Sequence, residues 1–346
     1  MDESGVKPSP SPSPGPIFRT VCVVGAGAIG GWLAAGLARA GSKVSLLARG
    51  PTLVALQANG LQLQTGSGDG QQTERVAVRA SADTAELGPQ DLIVIAVKAP
   101  ALKSVAQQIR PLLGPGTTVL TAMNGVPWWF LHGFGGPLQG HALESVDPDG
   151  TIGASIGADH VLGGVVHASC SVARPGVIRH GFGNTIILGE PSGERSARVQ
   201  ALSALLQQGG FDAPVSDRIQ RDIWFKLWGN MTMNPVSAFT GATSTAVMDD
   251  ELVLAFCSRV MLEARAIGAG FGITIDQEPA DRHAITRKLG AFKTSMLQDV
   301  EAGKPVELDA LVASVRELGQ LVGVPTPEID TLLGLARLHA RVHGLY

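Results

Sequence analysis

Charge, cysteine and tyrosine are all scarce in this chain. Charged side chains make up 16% of its 346 residues, the formal net charge is −3, and there is one tyrosine. So small a net charge gives no electrostatic basis for binding nucleic acid or an anionic membrane, and neither partner is expected. The three cysteines, Cys22, Cys170 and Cys257, lie far apart and never form a C-x-x-C pair, which argues against a disulfide framework and a zinc site. A reducing, cytoplasmic setting is the expectation that follows. His132, His141, His160, His167 and His180 lack metal-ligand spacing, so no metal is expected.

Glycine and apolar residues are plentiful instead, with 44 Gly and 45% hydrophobic side chains. That balance suits a compact globular protein with room for about two domains. Residues 1–17, a Ser/Pro run, cannot build a core and read as a disordered tail. The uncharged stretch Val21–Ala38 follows Lys7 and Arg19 and so imitates a signal peptide or membrane anchor. Against that, Gly25, Gly27, Gly30, Gly31 and Gly36 fall inside it, each costing helix stability, and the acidic Asp2 and Glu3 open the chain. A spanning helix also needs about twenty predominantly apolar residues.

The same stretch fits a nucleotide-binding turn. Phe18–Val24 is an apolar, β-branched run that predicts a buried parallel strand. It breaks at Gly25-Ala26-Gly27-Ala28-Ile29-Gly30, and a helix is predicted from Ile29 to Ala40, stopped by Gly41. In a strand, turn and helix of this kind, Gly25 allows the bend, Gly27 lets a pyrophosphate approach the backbone, and Gly30 allows helix and strand to pack closely. The phosphates then meet N–H groups at the helix N-terminus, including those of Ala28 and Ile29. A second strand, Lys43–Ala48, ends in Arg49 where NAD-binding folds usually carry an acidic residue. A guanidinium suits a 2′-phosphate, so NADP(H) is favoured; the alternative is a solvated loop arginine.

Further buried strands are predicted at Asp91–Val97, ending in Lys98, and at Thr117–Ala122, ending in Met123-Asn124-Gly125. Ligands bind at the carboxyl ends of strands in open α/β sheets, which makes Lys98 and Asn124 candidates for cofactor or substrate contact. Residues 126–150 form an aromatic, Gly/Pro-rich loop with Trp128, Trp129, Phe130 and Phe134, readable either as a lid or as a packed excursion. Strands at Val165–Val172 and Val177–Leu188 and a helix at Ser196–Gln208 complete a first domain, 18–216.

Residues 217–346 change character. Helices are predicted at Asp217–Met233, Glu251–Ala269, Arg282–Gln298, Val306–Val322 and Pro327–Val342, with no convincing strand. The chain is therefore α/β, a dinucleotide-binding domain followed by an all-α domain, with an active site expected in the cleft between them. In FKLWGNMTMNP, Lys226, Asn230 and Asn234 stand at i, i+4 and i+8, so one helix face offers a cation and two amides. Reducing a ketone makes an alkoxide that needs a proton, and a partly desolvated lysine both donates it and stabilises the developing charge. The bland alternative is a surface lysine beside two asparagines. Gly303 and Pro305 interrupt the helical pattern and leave Glu307 in the first turn of the next helix, where it could simply complement a helix dipole.

VVGAGAIGG, AVKA, NGV, KLWGNMTMNP and SMLQDVEAGKPVELD, in this order from about Thr20 to Arg341, resemble the motifs of the ketopantoate reductase (2-dehydropantoate 2-reductase) family, within the 6-phosphogluconate dehydrogenase-like group. The resemblance implies a Rossmann-type domain hinged to a helical one, and reduction of 2-dehydropantoate to (R)-pantoate by NADPH in pantothenate biosynthesis. By it, Lys226 would be the general acid, and Glu307 and Asn230 would bind substrate hydroxyls. Ser295 and Asn124 would hold the substrate carboxylate region, Asn234 would support the site, and Lys98 and Arg49 would contact NADP(H). The segment Trp128–Gly150 is longer and more aromatic than the family's usual one and reads as an insertion that could select another 2-oxo acid. A β-hydroxyacid dehydrogenase also sets a Lys and an Asn one turn apart, but the Ser295–Glu307 block argues against it. A non-catalytic NADP(H)-binding regulator is disfavoured by the joint presence of Lys226, Asn230, Ser295 and Glu307. A homodimer is compatible with the sequence, which carries no feature that demands one.

Overall fold

The computed structural model describes residues 17–346; the predicted tail, apart from Ile17, lies outside the described residues. Nine strands form one sheet: β1 (Thr20–Val24), β2 (Lys43–Leu47), β3 (Leu61–Thr65), β4 (Gln72–Val76), β5 (Arg79–Ser81), β6 (Leu92–Ile95), β7 (Thr118–Thr121), β8 (Val161–Arg174) and β9 (Val177–Gly189). Their order across the sheet is β4-β3-β9-β8-β7-β6-β1-β2-β5. Strands β8, β7, β6, β1, β2 and β5 run parallel, whereas β8 and β9 pair antiparallel and β4 closes the far edge antiparallel to β3. Strands β1 and β6 are apolar almost throughout because both faces of this sheet are covered.

Five helices accompany the sheet: α1 (Ala28–Arg39), α2 (Gly50–Asn59), α3 (Leu102–Gln108), α4 (Thr151–Ser155) and α5 (Ala197–Gln208). The glycines of α1 have a packing reason. A Cβ on Gly31 would come within 2.5 Å of the Ile178 side chain, and one on Gly36 within 2.0 Å of the Phe211 ring. Helix α1 is thereby held against β9 and the loop after α5, and no helix among the described residues is long and apolar enough to cross a membrane.

Seven helices follow: α6 (Ile219–Thr240), α7 (Ser244–Asp249), α8 (Glu251–Phe271), α9 (Pro279–Lys288), α10 (Ser295–Glu301), α11 (Ser314–Val322) and α12 (Pro327–Val342). No strand occurs among them. Helix α6 is the hub, packed on α8, α10 and α12. It runs beyond the predicted Met233 and through Pro235, because Met231, Thr232, Met233, Asn234, Val236 and Ser237 are all buried around the proline. That packing outweighs the roughly 3 kcal/mol an interior proline costs.

The single helix predicted over Arg282–Gln298 is instead two. Helix α9 starts earlier, at Pro279 behind a capping box of Glu278 and Asp281, and the chain turns at Gly290 with φ +72°. Helix α10 restarts after Thr294, whose hydroxyl accepts the Leu297 N–H at 3.2 Å. The helix predicted from Val306 begins with a widened, π-helical segment, Asp309–Ala313, before α11. There the Ala310 carbonyl accepts the Val126 N–H at 2.8 Å, joining the sheet half to the helical half.

One apolar core lies between α1, α5 and the sheet, around Trp32, Leu33, Leu206 and Phe211. The other starts on the opposite sheet face at Ile93 and Ile95 and continues through Trp129 and Phe130 into Trp224, Met261 and Phe271. The aromatic segment is therefore packed rather than an open lid. Trp129 is 2% exposed and donates its Nε1–H to Thr121 Oγ1 at 3.2 Å, and Phe130 meets Phe271 edge-on.

Candidate active site

The crossover from β2 through β5 to β6 puts β6 on the other side of β1 from β2, so the chain changes direction at the carboxyl ends of β1 and β6. Gly25, just past β1, has φ +102°, and a Cβ there would lie 2.7 Å from the Ala96 carbonyl. Gly30 is closer still, since its Cβ would fall 1.9 Å from the Gly25 carbonyl. Gly27 differs: a Cβ there would meet nothing within 4 Å. Gly27 is also the N-cap of α1 and brings no side chain to its first N–H groups, those of Ala28, Ile29 and Gly30. An open space over an uncapped helix N-terminus fits a dinucleotide pyrophosphate. Arg49 stands at the end of β2 as the N-cap of α2, exposed, and bonds Gln108 Oε1 at 2.8 Å.

From the other side, α6 brings Lys226 to the carboxyl end of β7. Its Nζ donates to Asn124 Oδ1 at 2.8 Å and to the Val166 carbonyl at 2.7 Å. Lys226 and Asn124 line a small crevice with Met123, Gly125, Val165, Ile223, Leu227 and Asn230. Asn230, one turn after Lys226, shares the crevice, whereas Asn234, a further turn on, is buried in α6 and does not line it. Desolvation pulls the Lys226 ammonium down to about pKa 8; Glu307 opposes the shift and Arg282 adds to it.

Glu307 lies just before the π-helical segment and is 6% exposed. Its Oε1 accepts the Ala99 N–H at 3.0 Å, and its Oε2 lies 3.9 Å from Lys98 Nζ. The carboxylate therefore caps a turn of the sheet half rather than complementing its own helix. Burial raises its pKa, with Lys98, the Ala99 N–H and Lys226 pulling the other way. Lys98, at the end of β6, is also paired with the buried Asp299, which sequence reasoning missed. The signal was present: Asp299 follows Ser295 by four residues, on the same face of α10. Ser295 itself is exposed at the first position of α10 and makes no side-chain hydrogen bond among the described residues.

Arg282 was also overlooked, and His167 was weighed only as a metal ligand. His167 follows Val166 on β8, and although more than a third exposed its imidazole is pushed down to about pKa 4 by partial burial and by the charges of Lys226 and Arg282. The site thus joins a glycine turn, a desolvated lysine held by an amide, and a buried carboxylate. Asn124, Lys226 and Asn230 line one crevice, Glu307 is near enough for its charge to act on Lys226, and Lys98 lies beside Glu307; Arg49 stands at the start of α2.

Comparison with known proteins agrees with this assembly. Residues 21–193 match the family model described as ketopantoate reductase PanE/ApbA, and residues 218–340 match the model of its C-terminal part. A 2-dehydropantoate 2-reductase of Mesorhizobium japonicum is 49% identical over 327 residues, covering 94% of this chain and 99% of the relative. A Ralstonia solanacearum protein crystallised as a candidate ketopantoate reductase is 58% identical, with a TM-score of 0.89 over 95% of this chain and 100% of that one. The 2-dehydropantoate 2-reductase of Geobacter metallireducens is 28% identical, with a TM-score of 0.79 over 92% of this chain and 99% of that one. With its glycine turn, its cleft lysine and both halves matched, the chain belongs to the ketopantoate reductase family of oxidoreductases.

Proposed function

We propose that this protein reduces the C2 ketone of 2-dehydropantoate to give (R)-pantoate, using NADPH, as a cytoplasmic enzyme of pantothenate biosynthesis. The observation that carries the reading is Lys226, desolvated yet held by Asn124 and Val166 in a crevice at the strand ends that follow the glycine turn. Bound at that turn, the nicotinamide cofactor would supply the hydride. Residues 18–216 would hold it, with Gly25, Gly27, Ala28, Ile29 and Gly30 receiving the pyrophosphate and Arg49 the 2′-phosphate. Residues 217–346 would supply most of the substrate contacts.

Lys226 then has two tasks. Its ammonium hydrogen-bonds the ketone oxygen, stabilises negative charge as it develops there, and gives up one proton to make the alcohol. With a pKa near 8 it is largely protonated at neutral pH while its proton leaves more readily than from an ordinary lysine. Glu307 and Asn230 would take the substrate hydroxyl, Ser295 and Asn124 would flank its carboxylate region, and Asn234 would brace α6 behind them. Lys98 would turn from its carboxylate partners toward the cofactor. The buried packing of Trp129 and Phe130 speaks against a substrate selected by a mobile aromatic lid.

The test is oxidation of NADPH, followed by absorbance, with 2-dehydropantoate beside a panel of other 2-oxo acids and with NADH as control. Preferential turnover of 2-dehydropantoate with NADPH is expected; turnover confined to another 2-oxo acid would overturn the substrate, and equal use of NADH the role of Arg49.

A further inference from the structure

Arg282, on α9, is an arginine with no acidic partner. None of its side-chain nitrogens makes a hydrogen bond or ion pair among the described residues, and Nε is fully buried without a partner. Its Nη groups are not buried, so the outer edge of the guanidinium is open to an anionic ligand, while leaving Nε unpaired is costly. Its seat is shaped for it. The guanidinium carbon lies 5.4 Å from the centre of the Phe225 ring, and Nε lies only 2.7 Å from where a Cβ on Gly229 would stand. Glycine in the middle of α6 weakens the helix relative to alanine, and here it clears the space in which the guanidinium lies.

The position is at the cleft. Phe225 and Gly229 flank Lys226 and Asn230 in sequence, and the Arg282 charge is felt by both Lys226 and His167. His167 shares its face of β8 with Val165, which lines the crevice. Three basic groups are thus close enough for their charges to act on one another, and one of them, Lys226, lines the crevice. Ser295 and Asn124, assigned above to the carboxylate region, are neutral, and Lys226 is engaged with the ketone oxygen. A substrate carboxylate drawn into this cleft would lack a counter-ion without a further cation.

We propose that Arg282 is the anion anchor of the cleft: its guanidinium binds the carboxylate of the 2-oxo acid, and Gly229 is glycine so that the guanidinium can lie against α6. This rests on the reading of the crevice as a reductase site. It makes the enzyme selective for acids over neutral ketones of the same shape, because only an acid completes the orphaned guanidinium.

The experiment compares 2-dehydropantoate with its neutral lactone in wild type, Arg282→Met, Arg282→Lys and Gly229→Ala, with the NADPH dissociation constant and melting temperature measured for each. Compared well below pH 8, where Lys226 is protonated in both proteins, Arg282→Met is expected to raise the KM for the acid roughly ten- to a hundredfold and to change the KM for the lactone and the NADPH affinity far less. Arg282→Lys should recover part of the loss, and Gly229→Ala should reproduce it by displacing the guanidinium. An unchanged KM for the acid, or equal losses on acid and lactone, would overturn the proposal. If wild type reduces neither compound, the substrate assignment has failed, and the anchor is judged by equilibrium binding of oxalate to the enzyme with NADP⁺. Binding lost in Arg282→Met then upholds it, and equal binding in wild type and variant rejects it.

Discussion

Lys226 Nζ and Asn124 Oδ1, 102 residues apart in the chain, are joined by a 2.8 Å hydrogen bond. The bond ties the carboxyl end of β7 to the middle of α6, and it fixes the ammonium that the proposed reduction uses as its proton donor. Replacing Lys226 by alanine removes the donor and leaves the turn intact. We expect kcat to fall by about two to four orders of magnitude, with the NADPH dissociation constant unchanged by fluorescence titration. Wild-type turnover in that variant would remove Lys226 from the mechanism.

The pH dependence follows from the protonated form being the acid. As pH rises through about 8, Lys226 loses its proton, so the rate of ketone reduction should fall, while the reverse oxidation should rise over the same interval. Glu307 holds the ammonium charged, so Glu307→Gln should move this limb to lower pH; Arg282 opposes the charge, so Arg282→Met should move it to higher pH. Rate profiles in both directions for the three proteins give the signs directly.

Two glycines of the same turn should fail differently. The Cβ of Gly30→Ala would strike the Gly25 carbonyl, so this variant should melt at a visibly lower temperature. The Cβ of Gly27→Ala would project into open space, so the fold should keep its melting temperature while NADPH binding weakens sharply. Thermal melts paired with cofactor titrations separate the two.

Arg49 is exposed and bonded only to Gln108 among the described residues. Its removal costs the fold little. Arg49→Ala should weaken NADPH binding by roughly one to two orders of magnitude and leave NADH binding as it was, since only the former carries the 2′-phosphate. Equal losses for both cofactors would place the phosphate elsewhere.

Trp129 is a structural residue. Trp129→Ala should destabilise the protein by about 3–5 kcal/mol in urea unfolding, through the cavity it leaves between β7 and the helical half. A stable variant with altered substrate preference would restore the lid reading.

The strands that build the nucleotide turn were legible because they are short apolar runs broken by glycine, and their ends moved by no more than two residues. Strands β3, β4 and β5 were not, because polar residues break up any apolar run in them and they lie toward the sheet margins; β4 is exposed at all but its last residue. The break between α9 and α10 was within reach, since Gly290 and Thr294 are ordinary stop and start signals, but the continuing apolar pattern masked them. Of the site, Lys226 and Asn230 followed from helical spacing, whereas the roles given to Ser295 and Glu307 came from family resemblance.

What the sequence determined by itself is local: the glycine turn, the Lys226 and Asn230 face of α6, and the family, all carried by contiguous residues whose spacing has one good conformation. What only the tertiary structure decided is which distant side chains share a space. Asp299 meets Lys98, Glu307 reaches the Ala99 N–H, and Arg282 settles on Gly229 without an acidic partner among the described residues. Pairings of this kind depend on how the helical half docks on the sheet, and docking is set by the common apolar core through Trp129, Phe130 and Trp224. That packing is a sum over many non-local contacts, each too small and too distant in the chain to leave a spacing that sequence alone could disclose.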